Sequence, residues 1–424
     1  MKKRLALILA LTLIATASFG CGKDESKDTA VQKNENQNKE EEADASEETI
    51  EPSVPEYAIT SVGADGYEYF EGSVECLQIT DDRHEALAKA IDELFSGRVS
   101  NFNSRIEEQN KEAESFNKEN EKNAQEEGYD YEPIKYQESQ YVTVIRADEE
   151  VLSFTVTSSY YFGGAHGSEV YEGFTFDANT GEQLTMADYG DEKKMALVAK
   201  DFILTSIEES SDTAKEMLFD DDVTSYKTVI EDYFSGETLP ENYLDHTGVT
   251  FVFQQYDIAP YAAGISKFTV PYSYFENFNT AYIPKDGFYT MELSEQGLIS
   301  KIDVNGDGTF ENVYIINEYP EDSEADYVLN VGDADITRTL GEGNYASGTF
   351  VHAKDGNYII VNSNGKIVLF EVSNGIRELG SLETDKTLRE IKNGEIILAD
   401  FTYTDEGIKW GENEIHKYSK SGIE

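Results

Sequence analysis

The sequence predicts an α+β fold, an antiparallel sheet with packed helices, followed by a C-terminal all-β domain. Three observations predict it. Over residues 151–161 Leu152, Phe154 and Val156 alternate with Thr155, Thr157 and Ser159, the two-residue period of a strand in a sheet wetted on one side. Gly163, Gly164 and Gly167 let the chain turn back into a second strand over residues 170–176, and Asn179-Thr180-Gly181 supplies the next turn. Upstream, Leu87, Ile91, Leu94, Phe95, Val99, Phe102 and Ile106 recur at helical steps as one apolar stripe. Beyond residue 293, short apolar runs lie between Asp355-Gly356, Asn364-Gly365, Asn374-Gly375, Asn393-Gly394 and Glu406-Gly407, the punctuation of successive hairpins.

The chain begins Met1-Lys2-Lys3-Arg4, continues with an apolar run over residues 5–17 and reaches Ser18-Phe19-Gly20-Cys21. A basic start, a short apolar stretch and a small residue before Cys are the marks of an export signal. Residues 1–21 are therefore expected to be a lipoprotein signal peptide with a lipidated Cys21, anchoring the protein at the extracellular face of the cell membrane. Residues 22–56, rich in Lys, Glu, Asp, Asn, Gln and Ser, have almost nothing to bury and are expected to form a disordered acidic tether. Cys76 is then the one remaining thiol and reads as a small buried hydrophobe.

The 424 residues hold 34 Lys and Arg against 84 Asp and Glu, a net charge of −50. Such a field repels nucleic acid and anionic lipid and attracts basic proteins. Nucleic acid is excluded as a partner, and the membrane is met only through the anchor.

Residues 57–190 read as one α+β region and residues 191–292 as a second that completes the module. In the first, a strand pair over residues 67–79 precedes a helix for which Asp81-Asp82 offer an N-cap, and strands follow at 141–147 and 151–161. After Ile106 the apolar stripe stops, with Phe116 alone among polar residues, so the helix is expected to project or fray there. In the second, helices are expected at 191–209 and 221–234, and strands at 249–256 and 265–272, where Pro271 implies an edge position.

Two motifs stand out. One is Ser159-Tyr160-Tyr161-Phe162-Gly163-Gly164-Ala165-His166-Gly167 with the Asp177-Ala178-Asn179-Thr180-Gly181 turn after it; the other is Gln254-Gln255-Tyr256-Asp257-Ile258-Ala259-Pro260-Tyr261. In this order they resemble the RsiV/MPT64-like extracytoplasmic domain family, a DUF4163-like region followed by a DUF3298-like region, which includes a lysozyme-binding anti-sigma factor. The same pair is found ahead of the catalytic domain of a peptidoglycan deacetylase. The resemblance implies a binding module whose contact residues are Gly163, Gly164, His166, Ser168, Pro260 and Tyr261, with a lysozyme-like muramidase or another envelope protein as partner. Peptidoglycan is the second candidate, through a glycan-binding or scaffolding role. An anti-sigma factor also needs a cytoplasmic domain and a spanning helix; neither is legible, so transmembrane signalling is not expected.

Residues 293–424 form the β-rich C-terminal domain, expected as a small sandwich or partial meander. Its first loop carries oxygen side chains at Asp303, Asn305, Asp307, Thr309 and Glu311, with Gly308 for the sharp turn. The spacing suits Ca²⁺, and the flanking strands make it resemble an FG-GAP-type calcium hairpin. A plain Asn-Gly-Asp-Gly hairpin is the alternative.

No catalytic constellation is legible. His84, His166, His246, His352 and His416 are far apart in sequence, and there is no His-x-x-x-His, nucleophile elbow, P-loop or Cys–His candidate. The protein is expected to be a non-catalytic monomer; a hydrolase with scattered acids stays open, as does an accessory role in peptidoglycan deacetylation.

Overall fold

The computed structural model describes residues 53–424 except 65, 221–224, 237, 286, 295–296, 320–324, 341–344, 364 and 405–406, and gives the backbone alone over the rest of 403–409. The export signal, Cys21 and most of the tether lie outside the described residues.

Strands β1 (Tyr57–Gly63) and β2 (Phe70–Ile79) form an antiparallel hairpin, and helix α1 (Glu85–Glu127) carries the chain across to β3 (Tyr136–Ala147), which runs parallel to β2. Strands β4 (Val151–Tyr161) and β5 (Ser168–Asp177) then continue a five-stranded sheet in the order β1-β2-β3-β4-β5. The predicted stripe of α1 is the buried one: Leu87, Ile91, Phe95, Phe102 and Ile106 pack with Phe70, Val74, Leu77, Leu152, Phe154 and Val156.

Four sequence expectations change in this region. The hairpin partner of β2 is β1 at residues 57–63, upstream of the expected strand pair. Asp81 does not cap the helix, which begins after His84 without a side-chain cap. Instead Asp81 accepts hydrogen bonds from the Glu56 and Arg83 amides and the His84 imidazole. Nor does α1 fray after Ile106: Ala113, Asn117 and Ala124 are buried, and Gly128 ends the helix in a left-handed cap. The second half of the stripe consists of small and amide side chains; Asn117 donates to the Ile134 carbonyl and accepts from Tyr131 Oη. The far face of β4 is also not wetted throughout, since Ser153 and Thr155 are buried under the next sheet.

That sheet follows helices α2 (Met186–Tyr189), α3 (Glu192–Glu209), α4 (Asp212–Glu216) and α5 (Tyr226–Ser235). It comprises β6 (Glu241–Leu244), β7 (Gly248–Phe253) and β8 (Ser266–Pro271), in that order, so Pro271 closes an edge strand as its missing N–H requires. Asp191 caps α3 through the Lys194 amide, and Ala199, Ile203 and Ile207 pack with Ile230, Phe251, Phe253 and Phe268. The start of the second expected helix, residues 221–224, lies outside the described residues. Arg146, fully buried, ties the two halves: Nε donates to Asp148 at 2.6 Å, and one terminal nitrogen donates to Tyr272 Oη at 3.1 Å and the Tyr282 carbonyl at 2.7 Å.

The C-terminal region is all β. After β9 (Tyr289–Glu292) come β10 (Ser300–Ile302), β11 (Glu311–Glu318), β12 (Asp326–Val331) and β13 (Ala334–Thr339), a four-stranded meander. Next are β14 (Ala346–Ala353), β15 (Gly356–Ser363), β16 (Lys366–Glu371) and β17 (Arg377–Glu383), to whose sheet β9 adds an edge against β14. The last strands are β18 (Thr387–Lys392), β19 (Glu395–Ala399), β20 (Phe401–Thr404), β21 (Gly407–Trp410), β22 (Glu414–Ser419) and β23 (Gly422–Ile423). The middle sheet is buried on both faces, Phe350, Ile359 and Phe370 toward the β11–β12 layer and Ile360, Ile367 and Leu369 toward β19. Among the described residues no helix is long and apolar enough to cross a membrane.

Candidate functional site

The two motif loops, far apart in sequence, meet. The first is the β4–β5 reversal. Gly163 holds φ +82° there, and a Cβ on it would sit 3.0 Å from the Phe116 ring, so the turn rests directly on α1. A Cβ on Gly167 would stand 2.7 Å from the Tyr160 carbonyl oxygen. Gly163 is therefore half-buried and shapes the turn, while Gly164, His166 and Ser168 are exposed.

The second loop joins β7 to β8. Asp257 accepts from the Gln254 amide at 2.8 Å and from Tyr233 Oη at 3.1 Å, curling the chain so that Tyr256 takes φ +69°. Burial, then the neighbouring Asp257, pushes the Tyr233 hydroxyl up to about 12. Pro260 leads into a single 3₁₀ turn at Tyr261–Ala263, leaving Pro260 exposed and Tyr261 half-exposed.

Gln254 and Gln255 join the loops. The Gln254 side chain accepts from the Tyr171 amide at 2.9 Å and donates to the Tyr171 carbonyl at 2.7 Å, standing in for a strand partner along the edge of β5. Gln255 accepts from the Glu169 amide at 3.0 Å. Above this clasp the His166 and Tyr261 rings stack, centroids 3.9 Å apart with planes at 23°. His166 Nδ1 lies 2.7 Å from the Gly167 carbonyl, which can only accept, so in the neutral ring Nδ1 carries the hydrogen. Nε2 is then the acceptor for Tyr256 Oη at 3.3 Å. Tyr256 is 54% exposed and its ring lies 6.1 Å from Tyr261. Three rings are thus held together on the surface, Tyr261 stacked on His166 and tilted to Tyr256, an amphipathic patch with little rotamer freedom left to lose.

Of the six predicted contact residues, His166 and Tyr261 touch, Gly164, Ser168 and Pro260 border them on exposed turns, and Gly163 lies beneath. Tyr256, Gln254 and Gln255 were not anticipated. Their signal was the Gln-Gln-Tyr-Asp run within the second motif, but the left-handed Tyr256 backbone that aims its ring is not legible in composition.

The other sequence-flagged groups separate from this patch. In the calcium-type loop Asp303 Oδ1 accepts from the Gly306 and Asp307 amides at 2.7 and 3.1 Å, and Oδ2 from the Gly308 amide at 2.9 Å. Asn305 Oδ1 accepts from the Asp307 amide, Asp307 Oδ1 from the Thr309 amide, and Glu311 Oε2 from the Val304 amide. The donors are of the kind a hard cation takes, on a loop already curled by its own amides. Yet no group of three or more His, Cys, Asp or Glu among the described residues is gathered closely enough to hold a metal ion.

Cys76 is buried, and burial, then Glu75, raises its thiol pKa. His246 and His352, distant in sequence, both stack on the Tyr289 ring, at 5.3 and 4.9 Å.

The architecture defines a two-sheet α+β module followed by stacked β meanders. Its segments match two family models: residues 196–273 that of DUF3298, described as a protein of unknown function, and residues 64–169 that described as deacetylase PdaC. Among solved structures, the chain is similar to a DUF3298 family member from Bacteroides fragilis at 18% identity and TM-score 0.40, covering 55% of this chain and 96% of that one. A DUF3298 family protein from Pseudomonas aeruginosa is similar at 14% identity and TM-score 0.36, covering 55% and 98%. No curated protein matches the chain.

Proposed function

We propose that the protein is a surface-anchored bacterial lipoprotein, lipidated at Cys21 and facing the outside of the cell, whose two-sheet module docks a basic protein of the envelope without catalysing a reaction. A lysozyme-like muramidase is the first candidate partner. The observation that carries this reading is the exposed Tyr256–His166–Tyr261 ring patch, built from two loops about ninety residues apart. The net charge of −50 supplies long-range attraction for a cationic partner, and the rings supply short-range contact.

Pull-down and calorimetry with hen lysozyme at low and physiological salt test it. Binding that survives physiological salt and falls at least about thirtyfold with Tyr261→Ala, a loss of about 2 kcal/mol, supports the docking face. Binding that vanishes with salt and ignores Tyr261→Ala is charge attraction alone and refutes it.

The PdaC-type match of residues 64–169 favours a second reading, a cell-wall glycan-binding or scaffolding module accessory to peptidoglycan deacetylation. Sedimentation with insoluble peptidoglycan separates the two. The loop of Asp303, Asn305, Asp307, Thr309 and Glu311 is proposed to take Ca²⁺, supported by its oxygen donors and pre-curled backbone.

A further inference from the structure

A cleft of about 480 Å³ opens where three parts of the chain converge: the far face of β3–β5, the edge strand β8 and the strand β9. The volume lies within the roughly 300–1,000 Å³ range of small-ligand sites. Its walls are unusual for their hydroxyls, with Thr143, Thr155 and Thr157 on one side, Thr250 and Thr269 on the second and Thr290 on the third. Thr250 and Thr269 hydrogen-bond each other at 2.7 Å, which uses one of their two hydroxyl hydrogens and leaves the other. Among the described residues the hydroxyls of Thr143, Thr157 and Thr290 have no hydrogen-bonding partner within the protein, and all three residues line the cleft.

One ion pair lies in the cleft, and Asp245, whose carboxylate accepts from the His246 amide, adds a further negative charge to its lining. Lys267 Nζ lies 3.1 Å from Glu292 Oε2 and 5.3 Å from the centroid of the Tyr171 ring. Desolvation opposes the Lys267 charge, but Glu292 and Tyr171 outweigh it and raise its pKa, while Lys267 lowers that of Glu292. The pair is ionised and neutral in sum at physiological pH. With the pair self-neutralised and Asp245 beside it, the cleft offers no place to an anion; it is rimmed by donors and acceptors and lined by two tyrosines, Tyr171 and Tyr243, whose rings lie 6.4 Å apart.

We infer that this cleft binds a neutral saccharide. Polyhydroxyl ligands match walls that offer many single hydroxyls, each able to donate and accept, and the Lys267–Glu292 pair can give one hydrogen bond and take another, with the Asp245 carboxylate as a further acceptor. An anion would face the acidic field of the whole chain, and an apolar ligand would strand the threonine hydroxyls. The inference gives the second reading above its site and is independent of the ring patch, so a chain that docks lysozyme but no sugar leaves the first reading standing.

Isothermal titration of the full chain with cellotetraose, maltotetraose and tetra-N-acetylchitotetraose tests it. Saturable binding of at least one is expected at millimolar concentration or below, weakened about tenfold by Thr157→Val and by Thr290→Val as each hydrogen bond is lost, and unchanged by Tyr261→Ala. Should either valine variant fail to fold, as seen by circular dichroism, the exposed Thr143→Val on the Thr157 wall is read in its place. No saturable binding of any of the three sugars overturns the inference, and so does binding that the valine variants leave untouched.

Discussion

Asp81 joins the first strand to the long helix, and replacing it by alanine gives a prediction whose size follows from the structure. Burial alone would raise its pKa, but the Glu56 amide, the His84 imidazole and the Arg83 amide all point at the carboxylate and lower it from 3.8 to about 2. The side chain keeps 8% of its surface, so solvent screens these bonds little. A carboxylate held about 1.8 units low stabilises the fold by at most about 2.4 kcal/mol at neutral pH. Because the folded pKa is the depressed one, that stability is whole well above pH 3.8 and drains as the pH falls toward 2. About 1 kcal/mol of it is gone by pH 3. Urea unfolding followed by far-ultraviolet circular dichroism, with Asp81→Ala beside the parent chain at pH 7 and pH 3, measures the gap. It should narrow by about 1 kcal/mol at the lower pH. A gap that is the same at both values, or wider at pH 3, refutes the reasoning.

Arg146→Met should destabilise the module by about 3 kcal/mol, because Asp148 and the Tyr282 carbonyl lose a buried cationic donor; a melt within a degree of the parent speaks against that role. Gly167→Ala places a methyl 2.7 Å from the Tyr160 carbonyl, so it should cost about 1–3 kcal/mol in thermal unfolding and loosen lysozyme binding along with it. Ca²⁺ at ten times its dissociation constant should stabilise the chain by about 1.4 kcal/mol over an EDTA control, an effect abolished by Asp303→Ala. A calcium-independent melting temperature defeats the metal assignment.

Elements whose signal is local were legible in the sequence. Asn179-Thr180-Gly181 forms the expected turn, with Asp177 accepting from the Asn179 and Thr180 amides and Gly181 at φ +70°. Asp191 and Pro271 mark a helix start and an edge strand as their chemistry requires. What escaped depends on partners distant in sequence. The second half of α1 is buried through Ala113, Asn117 and Ala124, whose apolar content is too small to read as a stripe. Thr155 reads as part of a wetted face because nothing in β4 announces the sheet that covers it. At the ring patch, His166 and Tyr261 could be nominated from motifs, but Tyr256 needed the Asp257 clasp and its φ of +69° to be seen.

Strand β9 is the edge of the middle C-terminal sheet, with Tyr289 opposite His352 and Glu292 opposite Thr349, yet Tyr289 also stacks on His246 and Glu292 pairs with Lys267 of the preceding module. A protease acting just after Glu292 would therefore release a front fragment that carries the closing strand of the rear one. Mixed together, the two pieces should reassemble by strand donation, and the seam between them offers a natural place to split the protein into complementing halves.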